Sequence, residues 1–167
     1  PYVTNNLMKA ELGLAANGLV MLRHEFGLLS EAIPYSSYSQ YFARLDIKID
    51  DDIVLYIWDT LTWVPTLNPA TRIAGYGLNY HGVTIIDKHG AEKLSSICRL
   101  WAELFDLGPD QLELTGQFGW TEGGVQASGE YLILKARKGE LVQSLRSLAQ
   151  YADRAASGNY YILHAGI

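Results

Sequence analysis

Residues 82–116, GVTIIDKHGAEKLSSICRLWAELFDLGPDQLELTG, and residues 130–164, EYLILKARKGELVQSLRSLAQYADRAASGNYYILH, carry the same apolar pattern, displaced by 48 positions from 82 to 130. In the first, Val83, Ile85 and Ile86 lead to Glu92; Leu94, Ile97, Leu100 and Leu104 follow at steps of three and four, then Leu112 and Leu114. In the second, Tyr131, Ile133 and Leu134 lead to Glu140, then Val142, Leu145, Leu148 and Ala152, then Tyr160 and Ile162. Steps of three and four mark the buried stripe of an amphipathic helix, whereas short apolar runs bounded by Gly mark strands. Each stretch therefore predicts strand, helix, strand. Identity is confined to Ile85/Ile133, Glu92/Glu140, Ser96/Ser144 and Leu100/Leu148, so the echo defines a fold unit and does not require a duplication.

Working outward, Leu45, Ile47 and Ile49 alternate with Asp46, Lys48 and Asp50, the period of a strand with one wet face. Ile53 to Trp58 reads as a second strand, with Asp50-Asp51-Asp52 as the turn between them. Pro65 and Pro69 bracket a loop, and Arg72 to Tyr80 reads as a Gly-containing strand. Before Pro34, Met8, Leu12, Ala15, Leu19, Leu22, Phe26, Leu29 and Ile33 recur at helical spacing. Asn17-Gly18, the dipeptide of a two-residue hairpin turn, interrupts them, and Gly13 and Gly27 each weaken a helix by about 1 kcal/mol. Two helical segments broken near Asn17-Gly18 are expected; a hairpin of 8–16 and 19–26 is the rival. The Ser/Tyr-rich run from Tyr35 begins a short helix ending near Arg44.

With 167 residues, 49% of them hydrophobic, the chain can bury one sizeable core, and no Pro/Ser-rich linker divides it. The expectation is a single domain over 1–167 of class α+β (α/β in the broad sense). Residues 1–44 are mainly helical, and 45–167 form a mixed or antiparallel sheet with two helices packed on it. No stretch is apolar enough to span a bilayer and no basic leader precedes an apolar segment, so no membrane association is expected. The lone Cys98 cannot form an internal disulfide, and a reducing, cytoplasmic compartment fits best.

Thirteen Lys and Arg against eighteen Asp and Glu argue against a nucleic-acid partner, whose phosphates need cations. The acids are also clustered. From Leu100 to Leu134 there are six, Glu103, Asp106, Asp110, Glu113, Glu122 and Glu130, with no Lys or Arg. Between Leu45 and Thr71, Asp46, Asp50, Asp51, Asp52 and Asp59 face a single base, Lys48. Clustered like charges raise the local potential and steer a partner of opposite sign; the plainer reading is solvated loops and helix ends.

Catalytic signatures are lacking. His24, His81, His89 and His164 are scattered outside any His-Glu-x-x-His motif. His81, Asp87 and His89 suit zinc by ligand type, but Asp87 as helix cap and His89 in the first turn account for them. Cys98 falls on the apolar side of its helix and reads as core. The loop from Gly116 to Gly129 is Gly-rich yet has Glu122 where a phosphate loop needs Lys, and Gly75-Tyr76-Gly77 is too short a match for a dinucleotide fingerprint. Carboxylate pairs such as Asp50 with Asp59 or Glu113 with Glu122 have no fixed separation. No catalytic or metal-binding residue is assigned and no cofactor is expected.

Aromatic usage is more telling. Eleven Tyr and four Trp outnumber four Phe, a bias toward rings with a polar handle that protein interfaces share. Trp58, Trp63 and Trp120 lie in or beside the acidic stretches. The residues expected to bind a partner are therefore Asp50, Asp51, Asp52, Trp58, Asp59, Trp63, Glu113, Trp120 and Glu122.

Gly-Glu-Tyr-Leu-Ile-Leu at 129–134, Arg-Lys-Gly-Glu-Leu-Val at 137–142 and Tyr-Tyr-Ile-Leu-His-Ala-Gly-Ile at 160–167 resemble the style of bacterial immunity proteins paired with polymorphic toxins. The resemblance covers about the last quarter of the chain. It implies a small acidic, cytoplasmic, non-enzymatic protein that blocks a cognate toxin with a basic face, and it carries over no binding residue. The alternatives are a small-molecule-binding domain or small enzyme with a Tyr-lined pocket, and a structural subunit of a larger assembly.

Overall fold

The computed structural model describes residues 22–30, 35–121 and 128–167. Its strands are β1 (Arg23–Leu29), β2 (Ile47–Asp50), β3 (Pro65–Leu67), β4 (Ala74–Tyr76), β5 (Val83–Ile86), β6 (Gln111–Thr121), β7 (Ser128–Arg137) and β8 (Tyr161–Ala165). A 3-10 helix covers Tyr35–Arg44, and the α-helices are α1 (Asp51–Tyr56), α2 (Trp58–Leu61), α3 (Lys88–Asp106) and α4 (Lys138–Ala156). Among the described residues, six strands form one antiparallel sheet in the order β2-β1-β8-β5-β3-β4, while β6 and β7 pair only with each other. The class is α+β.

One face of the sheet, carrying Phe26, Ile47, Ile49, Ile86 and Ile162, packs on Leu94, Cys98, Ala102 and Phe105 of α3 and Leu141, Leu145, Leu148 and Ala152 of α4. Each fully buried Leu of this layer contributes roughly 1.5–3 kcal/mol over leaving it exposed. The other face, with Leu29, Ile85 and Leu163, is covered by Tyr38 and Leu45 at the 3-10 helix and its exit. Asp87 caps α3 by accepting the backbone N–H of His89 at 2.9 Å, the role its position predicts. Cys98 is core as expected, and burial pushes its thiol up to about 12.

The strand-helix-strand order is present in both copies, β5-α3-β6 and β7-α4-β8. Their inner strands nevertheless leave the sheet. β6 and β7 form a ribbon whose base, Leu112, Leu114 and Ala136, sits on the main core while Phe118, Tyr131, Leu132 and Ile133 farther out are exposed.

Three expectations need correction. Residues 23–29 are a strand rather than part of a helical 1–44 segment, because β1 lies between β2 and β8 and is buried on both faces, which erases strand alternation and leaves a spacing that mimics a helix. Its Gly27 is required by packing: a Cβ there would lie 2.8 Å from the Arg44 carbonyl oxygen. Residues 53–56 are helical, not extended; Asp51 and Asp52 occupy the first turn of α1, where acids complement the helix dipole, so the Asp run starts a helix instead of turning a hairpin. Only Ala74–Tyr76 of the predicted 72–80 strand is extended, while Pro65–Leu67, read as loop, pairs with it. The segments predicted before residue 22, including the Asn17-Gly18 break and its hairpin rival, lie outside the described residues.

Candidate functional site

The stretch from Asp50 to Trp63, α1 followed by α2 with their flanking residues, holds six of the nine predicted partner-binding residues. Its inner side buries Ile53, Val54, Ile57 and Leu61. Asp52, Tyr56, Asp59 and Trp63, spaced by four, three and four, are exposed, Trp63 at 59%. Asp52 and Asp59 make no ion pair among the described residues. By contrast, Asp50 is held by Arg23 at 3.0 Å, Asp51 is tied inward, and Trp58 is half-buried against the core.

Beside this segment runs an open groove of about 500 Å³ between the C-terminal half of α3 and the start of β6. Tyr56, Trp101, Leu104 and Phe105 form one wall, and Gln111, Leu112, Glu113 and Leu114 the other. Trp101 is set by a hydrogen bond from its Nε1 to Thr60 Oγ1 at 3.0 Å, and its ring lies against Phe105 and Tyr56. Glu113 thus shares a cleft with Tyr56, although it also lies 3.5 Å from Lys135, both side chains being highly exposed. Trp120 stands near the far end of the ribbon, paired in register with Gly129, and Glu122 lies outside the described residues.

On the inner side of α1 is a cluster that sequence reasoning missed. His24 of β1 and His164 of β8 are fully buried and share a hydrogen bond, Nδ1 to Nε2, at 2.8 Å. His24 Nε2 meets Asp51 Oδ1 at 3.2 Å, and the Tyr80 hydroxyl donates to Asp51 Oδ2 at 3.0 Å. At the other end His164 Nδ1 meets Thr84 Oγ1 at 3.3 Å, and Thr84 Oγ1 accepts the Asn79 N–H at 2.7 Å. Trp58 and Tyr80 pack edge to face at 5.8 Å beside the His24 ring.

One proton arrangement satisfies every member. Because the Asp51 carboxylate can only accept, His24 donates to it from Nε2 and, as a neutral ring, accepts at Nδ1 from His164 Nε2–H; His164 Nδ1 then accepts the hydroxyl proton of Thr84, which itself accepts the Asn79 N–H. Both imidazoles are neutral in this chain. Burial, aided by the neighbouring His24, lowers His164 to about 3; burial also lowers His24, against an opposing pull from Asp51. Burial and the bond to Asp51 push the Tyr80 hydroxyl up to about 12, so it remains a donor at neutral pH. Among the described residues no buried side-chain polar atom lacks a partner, so the network is closed.

No group of three potential metal ligands converges among the described residues; His89 pairs with its cap Asp87, while His81 meets the Ile167 carbonyl oxygen. No described helix is long and apolar enough to cross a membrane. A second polar tie joins the two long helices, with Ser95 donating to Asp153 at 2.6 Å and Arg99 bridging both. Comparison with known proteins yields no match, whether with family models, curated proteins or solved structures.

Proposed function

We propose that this chain is a non-enzymatic binding protein that occludes a basic partner, as an immunity protein blocks its toxin. The observation that carries the reading is the exposed face of Asp52, Tyr56, Asp59 and Trp63 beside an aromatic groove. Unpaired carboxylates beside exposed aromatic rings are the elements of a partner-steering rim around an anchor. The resemblance of residues 129–167 to immunity proteins agrees with it, as does the net charge of −5. The direct test is co-purification with the product of the adjacent gene, followed by association kinetics at rising salt. A toxin domain that binds, and binds more slowly as salt rises, supports the reading; a metabolic enzyme as neighbour, with nothing recovered in pull-downs, removes it.

A second reading, a small-molecule site or small enzyme, is favoured by the Tyr80–Asp51–His24–His164 chain, since hydrogen-bonded His and carboxylate groups are the usual parts of proton transfer. A metabolite that raises the melting temperature of the protein but not of Asp51→Asn would favour it over occlusion.

A further inference from the structure

The groove between α3 and β6 is lined by Gln111, Leu112, Glu113 and Leu114, four consecutive residues of one strand. Consecutive strand residues point to opposite faces, so a cleft that touches all four runs along the strand's edge rather than across one face. Among the described residues that edge has no ladder partner, because β6 pairs only with β7. Opposite it stands the C-terminal half of α3 with the exposed Leu104 in the groove wall; Leu100, one turn earlier, and Leu107, at the helix C-cap, continue the exposed apolar row outside the groove. This apolar stripe is separate from the one that α3 buries through Leu94, Cys98, Ala102 and Phe105.

We infer that the groove seats an extended, basic segment of the partner, added as a strand to the free edge of β6. In this mode main-chain hydrogen bonds supply affinity, and alternate side chains find their pockets, here against Trp101 and Leu104. Charge sets the chemistry of the occupant. Among the described residues, Asp52, Asp59 and Glu103 are exposed and make no ion pair, and the residues lining the groove include no Lys or Arg, its own Glu113 being paired with Lys135 and its Gly108 carbonyl oxygen with Lys138. The same acids disfavour a second copy of this chain, which would bring like charges together. Lys and Arg on one face of the added strand, with Val, Leu or Tyr on the other, fit both walls.

The inference deepens the proposed function and rests on it for the partner being a protein. Its test uses a short synthetic peptide alternating Lys with Val and Tyr, a twin with Glu for every Lys, and a third version with a central Pro that cannot donate to a ladder. Nuclear magnetic resonance of the whole chain should show the Lys peptide shifting Gln111–Leu114 and Trp101 and slowing amide exchange along β6, while the other two peptides bind at least about tenfold more weakly. Leu104→Glu, at an exposed position, should weaken the Lys peptide by about tenfold with an unchanged melting temperature. Equal binding of the Glu or Pro peptides, shifts confined to other surfaces, no binding of the Lys peptide, or a dimer in sedimentation that Leu104→Glu dissolves would overturn the inference.

The two readings fail separately. A toxin that binds Leu104→Glu as tightly as the unaltered chain removes the groove inference and leaves occlusion standing. A Lys peptide that engages β6 when no toxin is found does the reverse.

Discussion

His24 and His164 spend one ring nitrogen each on the other, which leaves no position for an added proton without reversing the chain that runs from Thr84 to Asp51. Unfolding releases both imidazoles to their ordinary value of about 6.5. Since both are lowered in the folded protein, the unfolded chain binds more protons below that pH, and stability falls as the solution is acidified. For His164 the window runs from about 6.5 down to about 3, with a limiting slope of about 1.4 kcal/mol per pH unit. Urea midpoints should be flat in this contribution above pH 7 and decline from pH 6.5 to pH 5, and His164→Leu should flatten the decline while lowering stability at pH 7 by about 1–3 kcal/mol through the stranded His24 nitrogen. A midpoint that rises on acidification would contradict the neutral pair. Asp51→Asn tests the other end. Burial does most to raise Tyr80 and the Asp51 carboxylate adds to it, so with that charge removed ultraviolet titration should find the phenol ionising below about 12, and an unchanged Tyr80 titration would detach it from the chain.

At the scale of elements, glycine separates positions where packing decides from those where propensity does. A Cβ on Gly90, in the first turn of α3, would lie 1.9 Å from the Pro65 carbonyl oxygen, so α3 sits directly on β3 and cannot yield without moving a backbone. Gly139, equally early in α4, has nothing within 4 Å. Gly90→Ala should cost about 1–3 kcal/mol, whereas Gly139→Ala should stabilise by about 0.5 kcal/mol, and chemical denaturation of the two variants measures the contrast. The same division explains what was legible in the sequence. α3 and α4 each hold one apolar stripe over 19 residues, and their period declares them. β1 has no such signature, for a strand buried on both faces keeps only burial, and its Phe26 and Leu29, with the exposed Leu22 just before it, fall at helical steps by coincidence. The acidic run at 50–59 could be marked as a surface, but Asp50, Asp51 and Trp58 could not be separated from Asp52, Asp59 and Trp63 until a helix, not a strand, fixed which sides point inward. The histidine pair was illegible for another reason: its members lie 140 residues apart, and their meeting depends on the β1-β8 register.

For the molecule as a whole, charge and apolar surface lie side by side and should act on different rates. A net charge of −5, with Asp52 and Asp59 on the α1–α2 face in no ion pair among the described residues, makes a long-range field that draws in a basic partner before contact. The groove acts only at contact, since burial of Tyr56, Trp101 and Leu104 begins when water has left. Against the partner, Asp52→Lys with Asp59→Lys should therefore slow association by about tenfold at low salt, with little change in dissociation. Leu104→Glu should mainly speed dissociation. The screening length shrinks from about 30 Å at 0.01 M salt to about 8 Å at 0.15 M, so raising salt should erase most of the difference between the double variant and the original chain. It should leave the greater part of the Leu104→Glu defect in place. Surface plasmon resonance with the immobilised partner resolves the two rates. If the double Lys variant changed only dissociation, the acids would be contact residues rather than a steering field, and the division between the helical face and the groove would fall.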